Sequence, residues 1–236
     1  MSIQIKGLQI PVSVIIPAAG SGKRMGGGTA KQFLPLLGEP VLLRTVRLFS
    51  DSPLVDEIVL AASDVAATAE IVGHLPKVTR IVQGGAERQD SVWAGLQAVH
   101  SRPRLICVHD AARPLLSLET LHGLLQAAAE HPAQVVAVPV KDTIKVAGPD
   151  GLVQTTPDRA SLWSVQTPQV FWVETLVAAF TQAQAEGFRG TDCASLVERT
   201  GAPVRIYPGN PTNLKLTTPE DLLLAEAILQ GQEADR

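Results

Sequence analysis

The stretch with the clearest chemical potential lies near the start of the chain: Pro17-Ala18-Ala19-Gly20-Ser21-Gly22-Lys23-Arg24-Met25-Gly26-Gly27-Gly28, followed by Lys31. A loop rich in Gly and small residues brings backbone N–H groups close to a ligand, and Lys23, Arg24 and Lys31 add positive charge. These are the ingredients for holding a polyphosphate. Pro17, Ala18, Ala19, Gly20 and Gly22 form the candidate cradle. Two familiar phosphate motifs do not apply. A Walker A loop requires Gly five residues before its Gly-Lys pair and Ser or Thr after it, where this chain has Pro17 and Arg24. A dinucleotide fingerprint beginning at Gly20 and Gly22 requires Gly where Met25 stands. Gly density alone is compatible with a flexible surface turn, and the three cations favour the phosphate site.

Two further strings carry useful side chains. Gln83-Gly84-Gly85-Ala86-Glu87-Arg88-Gln89-Asp90-Ser91-Val92 has a double glycine that permits close backbone approach to a flat base or sugar, and Ser91 adds an orientable hydroxyl. The same string also reads as an ordinary strand-to-helix turn, with Arg88 bracing the loops. In Val108-His109-Asp110-Ala111-Ala112-Arg113-Pro114, Asp110 can meet a Mg²⁺-bound phosphate, a ligand hydroxyl or only the following helix. Mg²⁺ prefers oxygen ligands and keeps several waters, so one carboxylate suffices; Asp110 is the candidate metal contact and Mg²⁺ the expected cation. Arg113 has the fork geometry for a phosphate or a buried carboxylate. His109 reads as structural, because no adjacent nucleophile needs a base. Cys193 has no basic or His neighbour in sequence and is not read as a nucleophile.

These groups need a scaffold, and the chain supplies an alternating one. Val12–Pro17, Glu57–Ala61, Val78–Val82, Leu105–His109 and Val135–Val140 read as strands rich in Val and Ile, with Val204–Tyr207 a further short one. Pro40–Phe49, Asp64–His74, Gln89–His100 and Leu118–Glu130 have helical length and spacing, with Ser117 a candidate cap. Trp172–Glu186, Cys193–Thr200 and Pro219–Gln230 are the later helices. The alternation predicts an α/β fold, a Rossmann-like three-layer sandwich around a mostly parallel sheet. Ligands of such sheets bind beyond the carboxyl ends of the strands, where the basic loop falls. Asp142–Val146 and Leu152–Thr155 flank Ala147-Gly148-Pro149-Asp150-Gly151 and predict a protruding β-hairpin. An isolated hairpin is marginal in water, so the arm is expected to meet a partner subunit or fold back on its own domain.

With 236 residues, 45% hydrophobic and 18% charged, the chain is expected to form a single domain spanning 1–236, with the arm at about 140–165. A formal charge of −3 argues against a broad nucleic-acid surface, so the cations act locally. Two distant cysteines argue against a disulfide scaffold or zinc site and fit a reducing compartment. Neither a secretory signal nor an apolar stretch of membrane-spanning length is read in the sequence, so a cytoplasmic protein is expected, or a plastid one if a transit peptide has been removed.

The first loop, Pro-Ala-Ala-Gly-x-Gly-x-Arg-Met followed by Lys31-Gln32, resembles the signature of nucleotidyltransferases that act on sugar and polyol phosphates. Gly-Gly-x-x-Arg-x-x-Ser-Val and Val-His-Asp-Ala-Ala-Arg-Pro follow in order. Beyond them come Val138–Lys145, Arg159–Gln169, Thr191-Asp192-Cys193-Ala194-Ser195 and Asn213-Leu214-Lys215-Leu216-Thr217-Thr218-Pro219-Glu220-Asp221. From about Val14 to Asp221 this series resembles the 2-C-methyl-D-erythritol 4-phosphate cytidylyltransferase family of the non-mevalonate isoprenoid pathway. The resemblance implies transfer of CMP from CTP to a polyol phosphate in a homodimer, without nucleic acid or membrane. It implies Arg24, Lys31 and Lys215 as the charges acting on the α-phosphate, and Gly84, Gly85, Ser91 and Asp110 as CTP contacts. It further implies Asp110, Arg113, Thr143, Arg159, Thr167 and Thr191 as acceptor contacts, with Thr143, Arg159 and Thr167 coming from a neighbouring subunit. From the residues alone, Thr143, Arg159 and Thr167 read as exposed hairpin positions, Thr191 as part of a helix cap and Lys215 as a surface charge. Cys193 replaces the commoner second acid of its element, which leaves the role of that acid open. A ribitol 5-phosphate cytidylyltransferase and a nucleotide-binding regulatory protein without turnover remain the alternatives.

Overall fold

Val12–Ala18 (β1) shows how the sequence builds this architecture. Val12, Val14, Ile16 and Ala18 enter one core, whereas Ile15 enters another. A strand covered on both faces reads as a continuous apolar run rather than as an alternation. The computed structural model describes residues 4–5, 8–20 and 30–234. Within them Glu57–Ala62 (β2), Val78–Gln83 (β3), Leu105–Val108 (β4) and Ala133–Pro139 (β5) join β1 in a central sheet. Trp163–Trp172 (β8) and Arg205–Pro208 (β9) complete it, in the order β9-β5-β8-β4-β1-β2-β3. All neighbouring pairs are parallel except those of β8, which runs antiparallel to both β4 and β5.

Helices Val41–Asp51 (α1), Val65–Val72 (α2) and Leu118–Ala128 (α4) cover one face, contributing Leu42, Val46, Phe49, Val72, Leu121 and Leu124 to its core. Arg88–Gln97 (α3), Val173–Glu186 (α5) and Cys193–Arg199 (α6) cover the other with Val92, Leu176, Phe180 and Leu196. Pro219–Ala234 (α7) packs Ala225 and Leu229 on Leu36, Val41 and Leu216. Side-chain caps fix several starts: Asp64 accepts from the Ala67 N–H, Ser117 from Thr120 and Asp192 from Ser195.

The parallel strands fall within a residue or two of their sequence-derived limits. β8 was not foreseen. It holds Pro168, which argues against a strand inside a sheet. The structure accommodates this with a register shift between Val165 and Gln169. The hairpin is shorter than expected. Only Val146–Ala147 (β6) and Val153–Thr155 (β7) pair, around a turn in which Gly151 adopts φ +79°. Residues 141–147 and 151–156 are exposed, so the arm projects from the sheet.

Candidate active site

The parallel strands β1, β3 and β4 deliver their connecting loops to one edge of the sheet, and a cleft opens there. Its lining includes Pro17, Ala18, Ala19 and Gly20 from the end of β1, and Gly85, Glu87, Arg88 and Ser91 from the β3–α3 turn. Asp110 to Ala112 follow β4, and Lys31, Gln32 and Lys215 close the sides. Residues widely spaced in the sequence therefore converge on a single pocket. Gly22 and Arg24 lie outside the described residues.

Asp110 organises the charge. It is buried, with Oδ1 2.9 Å from Arg88 Nε and Oδ2 2.7 Å from Lys215 Nζ. Burial by itself raises the carboxyl, but the charges and hydrogen bonds of Arg88 and Lys215 outweigh it and hold the group well below the usual carboxylate range. Arg88 also directs Nη1 to the Cys193 sulfur at 3.5 Å. Burial pushes the Cys193 thiol up, against the lowering effect of Arg88. The neutral thiol leaves Asp110 as the counter-charge of this guanidinium.

Asp110 is also the candidate metal contact. Both Asp110 oxygens are engaged by cations, so a Mg²⁺ bound directly there would sit against two positive side chains. Among the described residues no group of three or more His, Cys, Asp or Glu side chains could hold a metal. In this arrangement Asp110 anchors Arg88 and Lys215. A divalent cation carried on triphosphate oxygens needs few protein ligands, because Mg²⁺ retains its waters.

The two glycines of the pair differ in place: Gly85 lines the cleft, whereas Gly84 lies against the loop after β1. A Cβ on Gly84 would lie 2.5 Å from Ala19 Cβ and 3.0 Å from Ser91 Oγ, so the close approach is to the loop after β1. Ser91 accepts the Gly85 N–H at 3.1 Å and lies 3.1 Å from the Glu87 carbonyl, to which it donates. Its hydroxyl closes the turn beneath the cleft.

Of the acceptor candidates, Asp110 alone lines this cleft. Arg113 turns away and donates from Nη1 to the Asn213 carbonyl at 2.6 Å. Thr167 is not on the arm: it is buried in β8, where its hydroxyl oxygen accepts the Asp110 N–H at 3.0 Å. The expectation of an exposed Thr167 supplied by a neighbour is therefore replaced by a residue in the wall beneath Asp110 of the same chain. Thr143 and Arg159 are exposed on the arm, and Arg159 donates from Nη1 to the Lys141 carbonyl at 2.8 Å. Thr191 is exposed in a shallow depression beside Arg88 and Cys193. Sequence reasoning missed Gln32, whose buried amide donates to the Ala18 carbonyl at 2.7 Å and pins the loop after β1. It also missed Asn213, whose Nδ2 donates to the Thr167 carbonyl at 2.9 Å. Gln32 directly follows Lys31 in the first motif, and Asn213 opens the last, so each stood inside a string that was already marked.

A mostly parallel α/β sheet with a small-residue loop, two lysines and a buried acid at its carboxyl edge fits a nucleotidyltransferase. A profile of the 2-C-methyl-D-erythritol 4-phosphate cytidylyltransferase family matches residues 12–231. A protein of that name from Symbiobacterium thermophilum is 75% identical over 98% of this chain and 98% of its own. One from Geobacillus kaustophilus is 46% identical over 94% of this chain and 98% of its own. The crystal structure of 4-diphosphocytidyl-2C-methyl-D-erythritol synthase from Anaerococcus prevotii superposes with a TM-score of 0.83 at 32% identity, covering 94% of this chain and 99% of that one. That of the Thermus thermophilus cytidylyltransferase gives 0.76 at 34%, covering 94% and 100%. The chain belongs to the 2-C-methyl-D-erythritol 4-phosphate cytidylyltransferase family. Its activity is CTP-dependent cytidylyl transfer in isoprenoid precursor biosynthesis.

Proposed function

We propose that a phosphate oxygen of 2-C-methyl-D-erythritol 4-phosphate attacks the α-phosphorus of CTP in this cleft. The new P–O bond forms as the bond to the β-phosphate breaks. The bonding pair leaves with pyrophosphate, and 4-(cytidine 5'-diphospho)-2-C-methyl-D-erythritol remains. The attacking phosphate is anionic at neutral pH, so no general base is needed. The observation that carries this reading is the convergence of Lys31 and Lys215 on one cleft, with Asp110 holding the second lysine at 2.7 Å.

Lys31 and Lys215, with Arg24, neutralise charge that builds on the α-phosphate, and the loop after β1 aligns the triphosphate. The divalent cation, Mg²⁺ in this proposal, enters as part of the triphosphate substrate. Thr143 and Arg159 reach the acceptor phosphate from the arm of a second copy, while Thr191 approaches it from the α6 side. The chain then acts as one domain with a dimerising arm. Two free buried cysteines are consistent with a reducing cytoplasm.

The direct test is pyrophosphate release with CTP, Mg²⁺ and methylerythritol phosphate, against ribitol 5-phosphate and ATP as controls. Release confined to the first pair is expected; release with ribitol phosphate in its place would move the acceptor assignment. Lys31→Ala should lower kcat by about a hundredfold, corresponding to loss of about 3 kcal/mol of transition-state stabilisation, with an unchanged melting temperature. Wild-type turnover in that variant would remove Lys31 from the mechanism.

A further inference from the structure

Beneath the cleft lies a polar layer that meets it at Asp110. His109 is fully buried and packs on Phe49, ring centroids 5.0 Å apart. Both of its nitrogens have a partner. Nε2 lies 3.0 Å from the Arg113 carbonyl and Nδ1 3.1 Å from the Thr167 hydroxyl. A carbonyl oxygen only accepts, so Nε2 carries the hydrogen. Burial pushes His109 down to about 4, so the ring is neutral at pH 7 and Nδ1 is an acceptor. The Thr167 hydroxyl must then donate to Nδ1, which leaves its oxygen to accept the Asp110 N–H at 3.0 Å. Every hydrogen in the relay has one direction: Asp110 N–H to Thr167, Thr167 O–H to His109, and His109 Nε2–H to Arg113.

We propose that His109 is a positioning residue for cytidylyl transfer, acting through the Thr167 hydroxyl to fix the Asp110 backbone and thereby the carboxylate that spaces Arg88 from Lys215. This rests on the assignment of Lys215 to the transfer step. The far side of the layer holds the lysine-bearing segment in the same way. Arg113, whose carbonyl takes the imidazole hydrogen, donates from Nη1 to the Asn213 carbonyl at 2.6 Å. Asn213 Nδ2 donates to the Thr167 carbonyl at 2.9 Å, and the Leu216 N–H to the Ala112 carbonyl at 2.8 Å. The loop after β4 and the strand of chain around Lys215 are thus joined both through β8 and directly. A neutral imidazole suits this place because it presents one donor and one acceptor at opposite ends of a rigid ring. Losing the acceptor would strand the Thr167 hydroxyl hydrogen and free it to seek another partner.

Two substitutions separate positioning from mere filling of the core. His109→Asn brings an amide oxygen near the place of Nδ1 and keeps an acceptor for Thr167. His109→Gln brings its amide nearer the place of Nε2, keeps a donor for Arg113 and leaves Thr167 without its acceptor. Positioning gives a kcat within about threefold of wild type for His109→Asn and about tenfold or more lower for His109→Gln, with the KM for CTP unchanged in both. A filling role gives the reverse order, because Gln is closer to His in volume and Asn leaves the larger void. The proposal is overturned if His109→Gln retains kcat within threefold, or if kcat simply follows the melting temperature across the two variants. Should neither fold, Thr167→Val and Thr167→Ser ask the same question: a lower kcat in the first, restored in the second with the acceptor KM unchanged, is expected. A raised acceptor KM in Thr167→Val overturns the relay. Nitrogen-15 spectra of the wild-type ring provide a readout independent of turnover. The neutral Nε2–H form is expected at pH 7, and an Nδ1–H or imidazolium form there sinks the proposal. Wild-type protein lacking turnover would sink the functional reading while leaving the ring tautomer intact, so the two failures are distinguishable.

Discussion

Asp110 illustrates how one buried side chain sets the chemistry of its neighbours. Its carboxylate compensates two cations at once, and neither Arg88 nor Lys215 has a second carboxylate among the ion pairs of the described residues. Asp110→Asn should therefore release Lys215 and leave Arg88 without its counter-charge. We expect kcat to fall by about a hundredfold. Stability should fall by only about 1–2 kcal/mol, less than for a fully buried pair, because both cations keep part of their surface in water. Steady-state kinetics beside chemical denaturation would check the split; a large stability loss with normal turnover would make Asp110 a structural residue alone. His109 makes the pH dependence specific. Its folded pKa, about 4, lies below the ordinary 6.5, so the unfolded chain binds the proton more readily and stability drops as pH falls from 6.5 toward 4. Between pH 7 and pH 5 this group alone should remove about 2 kcal/mol. Urea midpoints at the two pH values, wild type against His109→Gln, would isolate it. Equal pH slopes in the two proteins would show that His109 is not the group responsible.

At the scale of elements, the loop after β1 is shaped by the turn after β3. A methyl on Gly84 would meet Ala19 Cβ, Ser91 Oγ and, at 3.3 Å, the Ala61 carbonyl. Ala19 has no rotamer with which to yield, so the loop itself must move. Gly84→Ala should cost about 1–3 kcal/mol and raise the KM for CTP. Gly20 provides the contrast. Among the described residues nothing lies within 4 Å of its added Cβ, and it lines the cleft. Gly20→Ala should melt as wild type does yet bind CTP more weakly; a lowered melting temperature would refute this division. The difference also marks what sequence could reveal. Runs such as Val12–Pro17 and Glu57–Ala61 disclosed their strands because a sheet covered on both faces demands uninterrupted apolar residues. Trp163–Trp172 hid β8 because Gln166, Thr167, Pro168 and Gln169 break any apolar pattern. These polar residues are explained only by partners elsewhere, among them Asn213 and Asp192. That Pro17 to Gly20 and Asp110 stand at the mouth of the sheet was legible in local strings. The two cations of Asp110, and the burial of Thr167, depended on contacts between segments far apart in the chain.

On the scale of the whole molecule, the arm is the feature that a single copy does not explain. Leu152 and Val153 are 69% and 59% exposed, and Ile144, Val146, Trp163 and Val165 expose apolar surface along or at the root of the same projection. Exposed apolar side chains grouped on one projection are what an interaction surface presents. In a two-fold dimer each arm would reach across to its neighbour, carrying Thr143 and Arg159 to a site built by the other chain. Lys31 and Arg159 would then serve one reaction from different subunits. Lys31→Ala and Arg159→Ala should each abolish most turnover as homodimers. Refolded together in equal amounts, half of the dimers should be hybrids. One site of each hybrid carries both substitutions, whereas the other combines an intact lysine with an intact arm. Activity should return to about a quarter of the wild-type level on mixing. If the arm serves its own chain, every site retains a defect and mixing restores nothing. Sedimentation of the mixture would distinguish that outcome from a failure to exchange subunits, and would itself reject the dimer if only monomer were present.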